Sequence, residues 1–195
     1  MERLISIDAN AIIHRAFHAL PPLKNKEGKQ RGAVYGFALF FLKALKDFKP
    51  AYAAAAFDYP APTFRHKEYK PYKAKRTKAP DELYEQIPEV KKLLQSFGVK
   101  CLEAPGFEAD DILGAIAEKV RAEENLENII LTGDMDALQL VDEKTKVNAI
   151  SRRIKEAVLY GKKEIAQKFG GLAPGQLVDF KALRGDPSDN IPGEP

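Results

Sequence analysis

Three carboxylates within four residues, Glu108, Asp110 and Asp111, stand at the entrance to an apolar helical pattern. The stretch reads Gly106-Phe107-Glu108-Ala109-Asp110-Asp111-Ile112-Leu113-Gly114-Ala115-Ile116, and Ile112, Leu113, Ile116, Ala117 and Val120 recur at helical spacing. A helix with such a stripe packs against a core. Its macrodipole favours each acid in the first turn by about 0.3–1 kcal/mol. That does not offset the mutual repulsion and lost hydration of three carboxylates beside a core. The cluster calls for a cation, and any fold of this chain must bring one to it.

Strands alternate with helices along the rest of the chain. Leu4 to Ile7 is a short β-branched run ending in Asp8, which is either a helix N-cap or a site acid. A helix from Ala11 to Leu20, a polar loop from Lys24 to Gly32 and an apolar helix from Ala33 to Phe48 follow. Ala51 to Phe57 is rich in alanine, a helix former, but its place after Pro50 and before Asp58 predicts a buried strand. Pro60 to Pro80 is a long polar insertion. A helix over Asp81 to Phe97 then leads to a strand at Val99 to Leu102 and to the acidic helix, which runs to about Glu124. Asn128 to Thr132 is a further strand, followed by a helical turn from Ala137 to Val141. Weaker strands are predicted at Lys146 to Ile150 and Ala157 to Tyr160, and short helices at Lys162 to Phe169 and Pro174 to Leu183.

This alternation predicts an α/β fold, a mainly parallel central sheet with helices on both faces. Ligands of such sheets sit beyond the carboxyl ends of the strands. Asp8, Asp58 and Asp134 each end a predicted strand, and Glu108, Asp110 and Asp111 closely follow another, so all converge on one edge.

An edge of carboxylates without His or Cys suits hard cations, Mg²⁺ or Mn²⁺. The three histidines are scattered, and no zinc-like spacing occurs. The acids outnumber what one Mg²⁺ takes, so two ions are expected, about 3.5–4 Å apart, able to activate water and stabilise a leaving oxygen. No Gly-x-x-x-x-Gly-Lys-Ser/Thr loop and no Gly-x-Gly-x-x-Gly after a strand is present. Taken singly, Glu108-Ala109-Asp110-Asp111 also fits a solvated helix start, and Gly133-Asp134-Met135-Asp136 a plain turn.

The insertion carries the opposite charge. From Arg65 to Lys78 there are seven Lys/Arg against one Glu, in a chain whose net charge is only +3. Arg65, Lys67, Lys70, Lys73, Lys75, Arg76 and Lys78 are interleaved with Phe64, Tyr69 and Tyr72. Cations for phosphates and rings for bases suit a passage for single-stranded nucleic acid, though a solvated basic loop has the same composition. Lys73 and Arg76, three apart, would address one phosphate from a helical turn. The lone Cys101 excludes an internal disulfide, no apolar run is long enough to span a membrane, and the N-terminus lacks a signal-peptide layout, so a cytoplasmic location is expected.

The chain resembles the 5′-nuclease domains of bacterial DNA polymerase I and their flap-endonuclease relatives over essentially its whole length. The resemblance is carried by Asp8 with Arg15-Ala16-Phe17-His18-Ala19, Ala33-Val34-Tyr35-Gly36-Phe37, and Phe57-Asp58 with Ala61-Pro62-Thr63-Phe64-Arg65. It continues in Tyr72-Lys73-Ala74-Lys75-Arg76, Gly106 to Asp111, Thr132-Gly133-Asp134-Met135-Asp136 and Gly185-Asp186-Pro187-Ser188-Asp189-Asn190-Ile191-Pro192-Gly193. It implies a PIN/resolvase-like nuclease that uses metal-activated water on DNA near 5′ ends, flaps or nicks, leaving a 5′-phosphate and a 3′-hydroxyl, in replication and repair.

By the same resemblance Asp8, Asp58, Glu108, Asp110, Asp111, Asp134, Asp136, Asp186 and Asp189 are metal carboxylates. Lys73 and Arg76 act at the scissile phosphate, and Arg15, Arg65, Tyr72, Lys70 and Lys75 hold DNA, within or beside a helical arch at about residues 60–80. Residues 1–160 form the nuclease core. Residues 161–195 begin a helix–hairpin–helix DNA-binding subdomain that is incomplete here, and a polymerase domain is the expected partner, in cis or in trans. Met135 stands where relatives often carry a basic residue, and Ala9 where glycine is common. A PIN-type ribonuclease shares the acidic edge without the basic insertion, and a non-catalytic branched-DNA-binding scaffold is the other alternative. A helix start places Glu108 and Asp111 on one side and turns Asp110 away, and Asp111 is the first residue to substitute.

Overall fold

The computed structural model describes residues 1–150 and 157–194; residues 151–156 of the expected core lie outside the described residues. Among the described residues six strands form one sheet in the order β3-β2-β1-β4-β5-β6. They are β1 (Glu2–Asp8), β2 (Tyr52–Ala56), β3 (Lys100–Leu102), β4 (Leu126–Thr132), β5 (Thr145–Ile150) and β6 (Ala157–Tyr160). The first five are mutually parallel and β6 is antiparallel to β5. The parallel α/β sheet read from the pattern is present, with one antiparallel edge strand added.

The central strands are buried on both faces, so they are apolar at successive positions rather than at alternate ones. Ile129 and Leu131 face one core with Ile5, Ile7, Phe37, Phe41 and Phe57, covered by α1 (Ala9–Ala19), α2 (Gly32–Phe48), α4 (Asp81–Tyr84) and α5 (Ile87–Ser96). Ile130 faces the other with Leu113, Leu138 and Ile165, covered by α6 (Ala109–Ala122), a 3₁₀ turn at Asp136–Leu140 and α7 (Lys162–Lys168). The alanine-rich segment pairs with β1 and β3 as a strand, tertiary pairing overriding helix propensity. Among the described residues no helix is long and apolar enough to cross a membrane.

Three expectations need correction. The helix predicted over Asp81 to Phe97 is two helices, α4 and α5, with Glu85 and Gln86 between them. Pro88 has no N–H for the Tyr84 carbonyl, and its ring obstructs a continuous helix. Pro174 to Leu183 divides likewise into a 3₁₀ turn at Pro174–Gln176 and α8 (Leu177–Arg184). The insertion holds only a five-residue helix, α3 (Phe64–Glu68), followed by turns, rather than a continuous helical arch.

The break at Gln86 has a use. Its fully buried side chain accepts from Ala33 N at 2.9 Å and Val34 N at 3.3 Å, and donates to Glu82 O at 2.8 Å. It satisfies two of the orphan donors at the start of α2. Gln86→Ala should destabilise the fold by about 3 kcal/mol, because buried donors lose their acceptor. Denaturant unfolding checks this, and a loss below about 1 kcal/mol would mean that water replaces the side chain.

Candidate active site

The strand order reverses between β1 and β4, and the crevice beyond their carboxyl ends is where open α/β sheets bind ligands. Asp8 closes β1 and caps α1. Its Oδ1 accepts from Ala11 N at 3.0 Å and its Oδ2 from the Thr132 hydroxyl at 2.6 Å. Thr132 ends β4 and its oxygen accepts from Asp134 N at 2.9 Å, while Asp134 accepts from Asp136 N at 2.9 Å. Asp58, just beyond β2, accepts from Ala109 N at 2.8 Å, tying that edge to the start of α6. Asp8 thus serves both as helix cap and as edge acid.

At α6, Glu108 is the N-cap and its N–H donates to the Asp111 carboxylate at 2.8 Å, the returning half of a capping box. Glu108 and Asp111 therefore share a side, as a helix start requires, and Asp110 faces the other acids. Arg65 takes Asp111 in a fork, at 2.8 and 2.7 Å, and stands 3.7 Å from Glu108. Tyr72 donates to Glu108 at 2.9 Å and Lys73 at 2.8 Å. Arg76 pairs with Asp189, and Lys181 bridges Asp136 and Asp186, the latter at 3.0 Å.

These pairings divide the nine acids. Glu108, Asp111, Asp136, Asp186 and Asp189 each hold a side-chain cation; among the described residues Asp8, Asp58, Asp110 and Asp134 hold none. Burial, with the charges of Asp8, Asp134, Asp58 and Asp136, pushes the Asp110 carboxyl up to about 8. Burial likewise lifts Asp8 to about 6 despite its two hydrogen bonds. Asp186 behaves oppositely. Although burial opposes its ionisation, the Ser188 hydroxyl and Lys181 hold it at about 2. Burial also opposes ionisation of Asp111, yet the Arg65 fork keeps it below the usual carboxylate range. Burial beside Glu108 pushes the Tyr72 phenol far up, so it remains a donor.

Not every expected site residue joins this set. Lys73 has φ +56°, outside a helical turn, so it and Arg76 diverge to Glu108 and Asp189 rather than addressing one point. Lys70 and Lys75 are exposed, with no ion pair among the described residues, and Arg15 lies under the edge, donating to Gly133 O at 3.1 Å. The insertion leans on the last loop of the chain. Lys73 N donates to Asp189 O at 2.9 Å, Asn190 to Pro71 O at 2.9 Å and Tyr69 to Asn190 O at 3.3 Å. Between insertion, edge and loop lies a cleft of about 800 Å³.

Thr132, Ser188 and Lys181 hold edge acids by hydrogen bonds, and sequence reading did not single them out. A hydroxyl ending a strand two residues before Asp134 is a legible turn signal for Thr132. Nothing in its spacing distinguishes Lys181 from a solvated helix lysine.

Among the described residues no three His, Cys, Asp or Glu side chains stand in a preformed metal-ligand arrangement; the acids share an edge without converging on a point. Their chemistry nonetheless fits a hard divalent cation: an oxygen-only donor set, with Asp110 pushed up to about 8 by burial and by neighbouring carboxylates.

A doubly covered parallel sheet with carboxylates at its switch point defines the class, a resolvase-like α/β domain with an acidic cleft. Within it, the chain belongs to the 5′-3′ exonuclease N-terminal resolvase-like domain family, whose model matches residues 3–170. The family is one of 5′-3′ exonucleases, hydrolases of DNA phosphodiester bonds. DNA polymerase I of Bacillus subtilis (strain 168) is 41% identical over 194 residues, covering 100% of this chain and 22% of that protein. The chain thus spans about a fifth of the length of the curated relatives it matches. The bacteriophage T5 protein co-crystallised with metal ions has TM-score 0.77 at 19% identity, covering 98% of this chain and 70% of that one. The T5 flap endonuclease in a pseudo-enzyme–product complex with DNA and metal ions has TM-score 0.74 at 19% identity, over the same shares.

Proposed function

We propose that this domain is a structure-specific 5′-3′ exonuclease and flap endonuclease. It hydrolyses DNA phosphodiesters near 5′ ends, nicks or flap junctions, leaving a 5′-phosphate and a 3′-hydroxyl. The observation that carries the reading is the gathering of Asp8, Asp58, Asp110 and Asp134, none with a side-chain cation among the described residues, at the carboxyl edge of the sheet beside a basic insertion. Asp8, Asp58, Asp110 and Asp134 would hold divalent cations, joined by Asp136, Asp186 and Asp189, and by Glu108 and Asp111 where their cations release them. Mg²⁺, as two ions with Mn²⁺ as a substitute, would supply an activated water and neutralise charge on the leaving oxygen when bound.

The chain's own cations do the positioning. Lys73 and Arg76, now on Glu108 and Asp189, exchange those carboxylates for the oxygens of the scissile phosphate. Arg65 and the Tyr72 hydroxyl steer the 5′ strand past Glu108, Lys70 and Lys75 hold its backbone from outside, and Arg15 holds it from below. Residues 1–160 act as the nuclease core. The segment from 161 onward acts as the start of a helix–hairpin–helix DNA grip. A polymerase domain, carried in cis in the DNA polymerase I relatives, is the proposed partner, and the cytoplasm the proposed setting.

Labelled 5′-flap DNA and matched single-stranded RNA, each with Mg²⁺ and with chelator, test this. Flap cleavage that chelator abolishes is the expected result. Preferential cutting of RNA would replace it with a PIN-type ribonuclease, and binding of flap DNA without cleavage in Mg²⁺ or Mn²⁺ with a non-catalytic scaffold.

A further inference from the structure

Of the rings that the insertion offers to bases, Tyr72 is occupied. It is buried, its hydroxyl donates to Glu108, the His66 ring packs against it with centres 5.1 Å apart, and the Lys73 ammonium lies 4.9 Å from its centre. Tyr69 ties its hydroxyl to Asn190 on the last loop. Phe64 is open, and it has a partner from outside the insertion. The ring of Phe107 lies beside it, centres 5.9 Å apart and planes at 57°. Phe64 is 37% and Phe107 48% exposed, so two adjoining rings stand in water where burial would have stabilised the fold.

The backbone holds both rings in place. The Phe64 amide donates to Gly106 O at 3.0 Å, and the Phe107 amide closes a turn onto Ala104 O at 3.1 Å. Gly106 supplies the φ of +84° in that turn, a left-handed position that suits glycine. On the other side Thr63, itself buried, donates its N–H to His66 Nδ1 at 3.2 Å and fixes the start of α3, and with it Phe64. The pair is therefore set before any ligand arrives, which lowers the entropy cost of using it.

Its surroundings point to a nucleotide. Arg65 stands between the pair and the cleft: its guanidinium carbon is 4.6 Å from the Phe64 centre, it forks Asp111, and it lines the cleft. Glu108, next in the chain to Phe107, lines the cleft too, whereas neither phenylalanine does. The rings are thus at the lip, immediately outside the acidic edge. Lys67, three positions after Phe64 and so on its side of α3, is exposed and has no ion pair among the described residues. Glu68, the only acid of α3, lines the cleft instead. A ring beside a free cation suits a base with its phosphate, and a base meets such a ring where it is unpaired. We infer that Phe107, braced by Phe64, stacks on one unpaired base of the DNA strand where that strand passes the lip of the cleft. The position lies outside the cutting site and is indifferent to base identity, since every base has a π-face. This rests on the nuclease reading above.

The test is fluorescence anisotropy of the whole chain in chelator. The probes are a 5′-flap DNA with an adenine flap, the same junction with an abasic flap, and the nicked duplex without a flap. Phe107→Leu should bind the adenine flap about tenfold more weakly, and the other probes within about twofold of wild type. Phe107→Tyr, which keeps a ring, should keep wild-type affinity. In the wild type alone, 2-aminopurine walked along the flap should lose fluorescence on binding at a discrete position. Equal loss on the adenine and abasic flaps overturns the inference, because no base would then be involved. An adenine flap held as tightly by Phe107→Leu as by wild type overturns it too, and so does 2-aminopurine fluorescence that is unchanged or uniform along the flap. Failure of the nuclease reading shows separately, as absence of flap cleavage by the wild type in Mg²⁺.

Discussion

Asp110→Asn is expected to lower metal-dependent cleavage by about a thousandfold or more while raising the melting temperature of the ion-free domain at alkaline pH. The two effects have one cause. The folded-state value of about 8 lies above the ordinary 3.8 because of burial and four neighbouring carboxylates. A carboxyl raised on folding contributes stability that is full below pH 4 and lost as pH rises to about 8. The ion-free wild type should therefore melt progressively lower from pH 5 to pH 9, on the order of a few kcal/mol. Asparagine has no charge to confine, so the variant's profile should flatten. Added Mg²⁺ should restore the wild type by binding the folded state, and restore the variant much less. The thousandfold rate loss corresponds to about 4 kcal/mol of transition-state stabilisation that the metal would supply. Melts in chelator and in Mg²⁺ at both pH limits check this. A variant melting below wild type at pH 9 in chelator would show that the carboxylate is held by something other than a missing cation.

Gly185→Ala should cost about a hundredfold in cleavage with little change in melting of the core. Gly185 sits at φ 75° and ψ 176°, a region open essentially to glycine alone. A Cβ there would fall closer than 3.0 Å to the Gly193 nitrogen and the Pro192 carbonyl carbon, backbone atoms that cannot rotate aside. The strain, on the order of 1–3 kcal/mol before the clash, falls on the loop that carries Asp186 and Asp189. Limited proteolysis should open first within this loop. Gly175→Ala, where a Cβ meets nothing within 4 Å, is the matching control. Equal loss of activity in both variants would mean that the loop geometry is immaterial.

What could be read from the chain follows from how local each cause is. Asp8, Asp58 and Asp134 were legible because strand ends and turn residues are short-range signals and a parallel sheet collects them on one edge. The opposite facing of Asp110 and Asp111 was legible too, because the spacing of a helix start spans only four residues. The partner of Asp111, the residue chosen first for substitution, was not legible: the Arg65 fork that neutralises it comes from 46 residues away. Lys181 was invisible for the same reason, its bridge to Asp136 spanning 45 residues. Lys73 departed from a helical turn because its backbone is held by Asp189, far along the chain. Pro88, by contrast, was a legible break that the apolar spacing over Asp81 to Phe97 concealed.

The interlock of the insertion with the last loop has a consequence for synthesis. Asn190 reaches Pro71 across 119 positions, and Tyr69 reaches Asn190 across 121, so neither contact can form until residue 190 has been made. Such distant closures cost entropy before they return anything, and they form after local helices. While the ribosome still holds residue 190, Lys73 and Arg76 lack the loop that orders them. The nascent chain is thus born without a finished cutting edge, near whatever nucleic acid its own translation brings close.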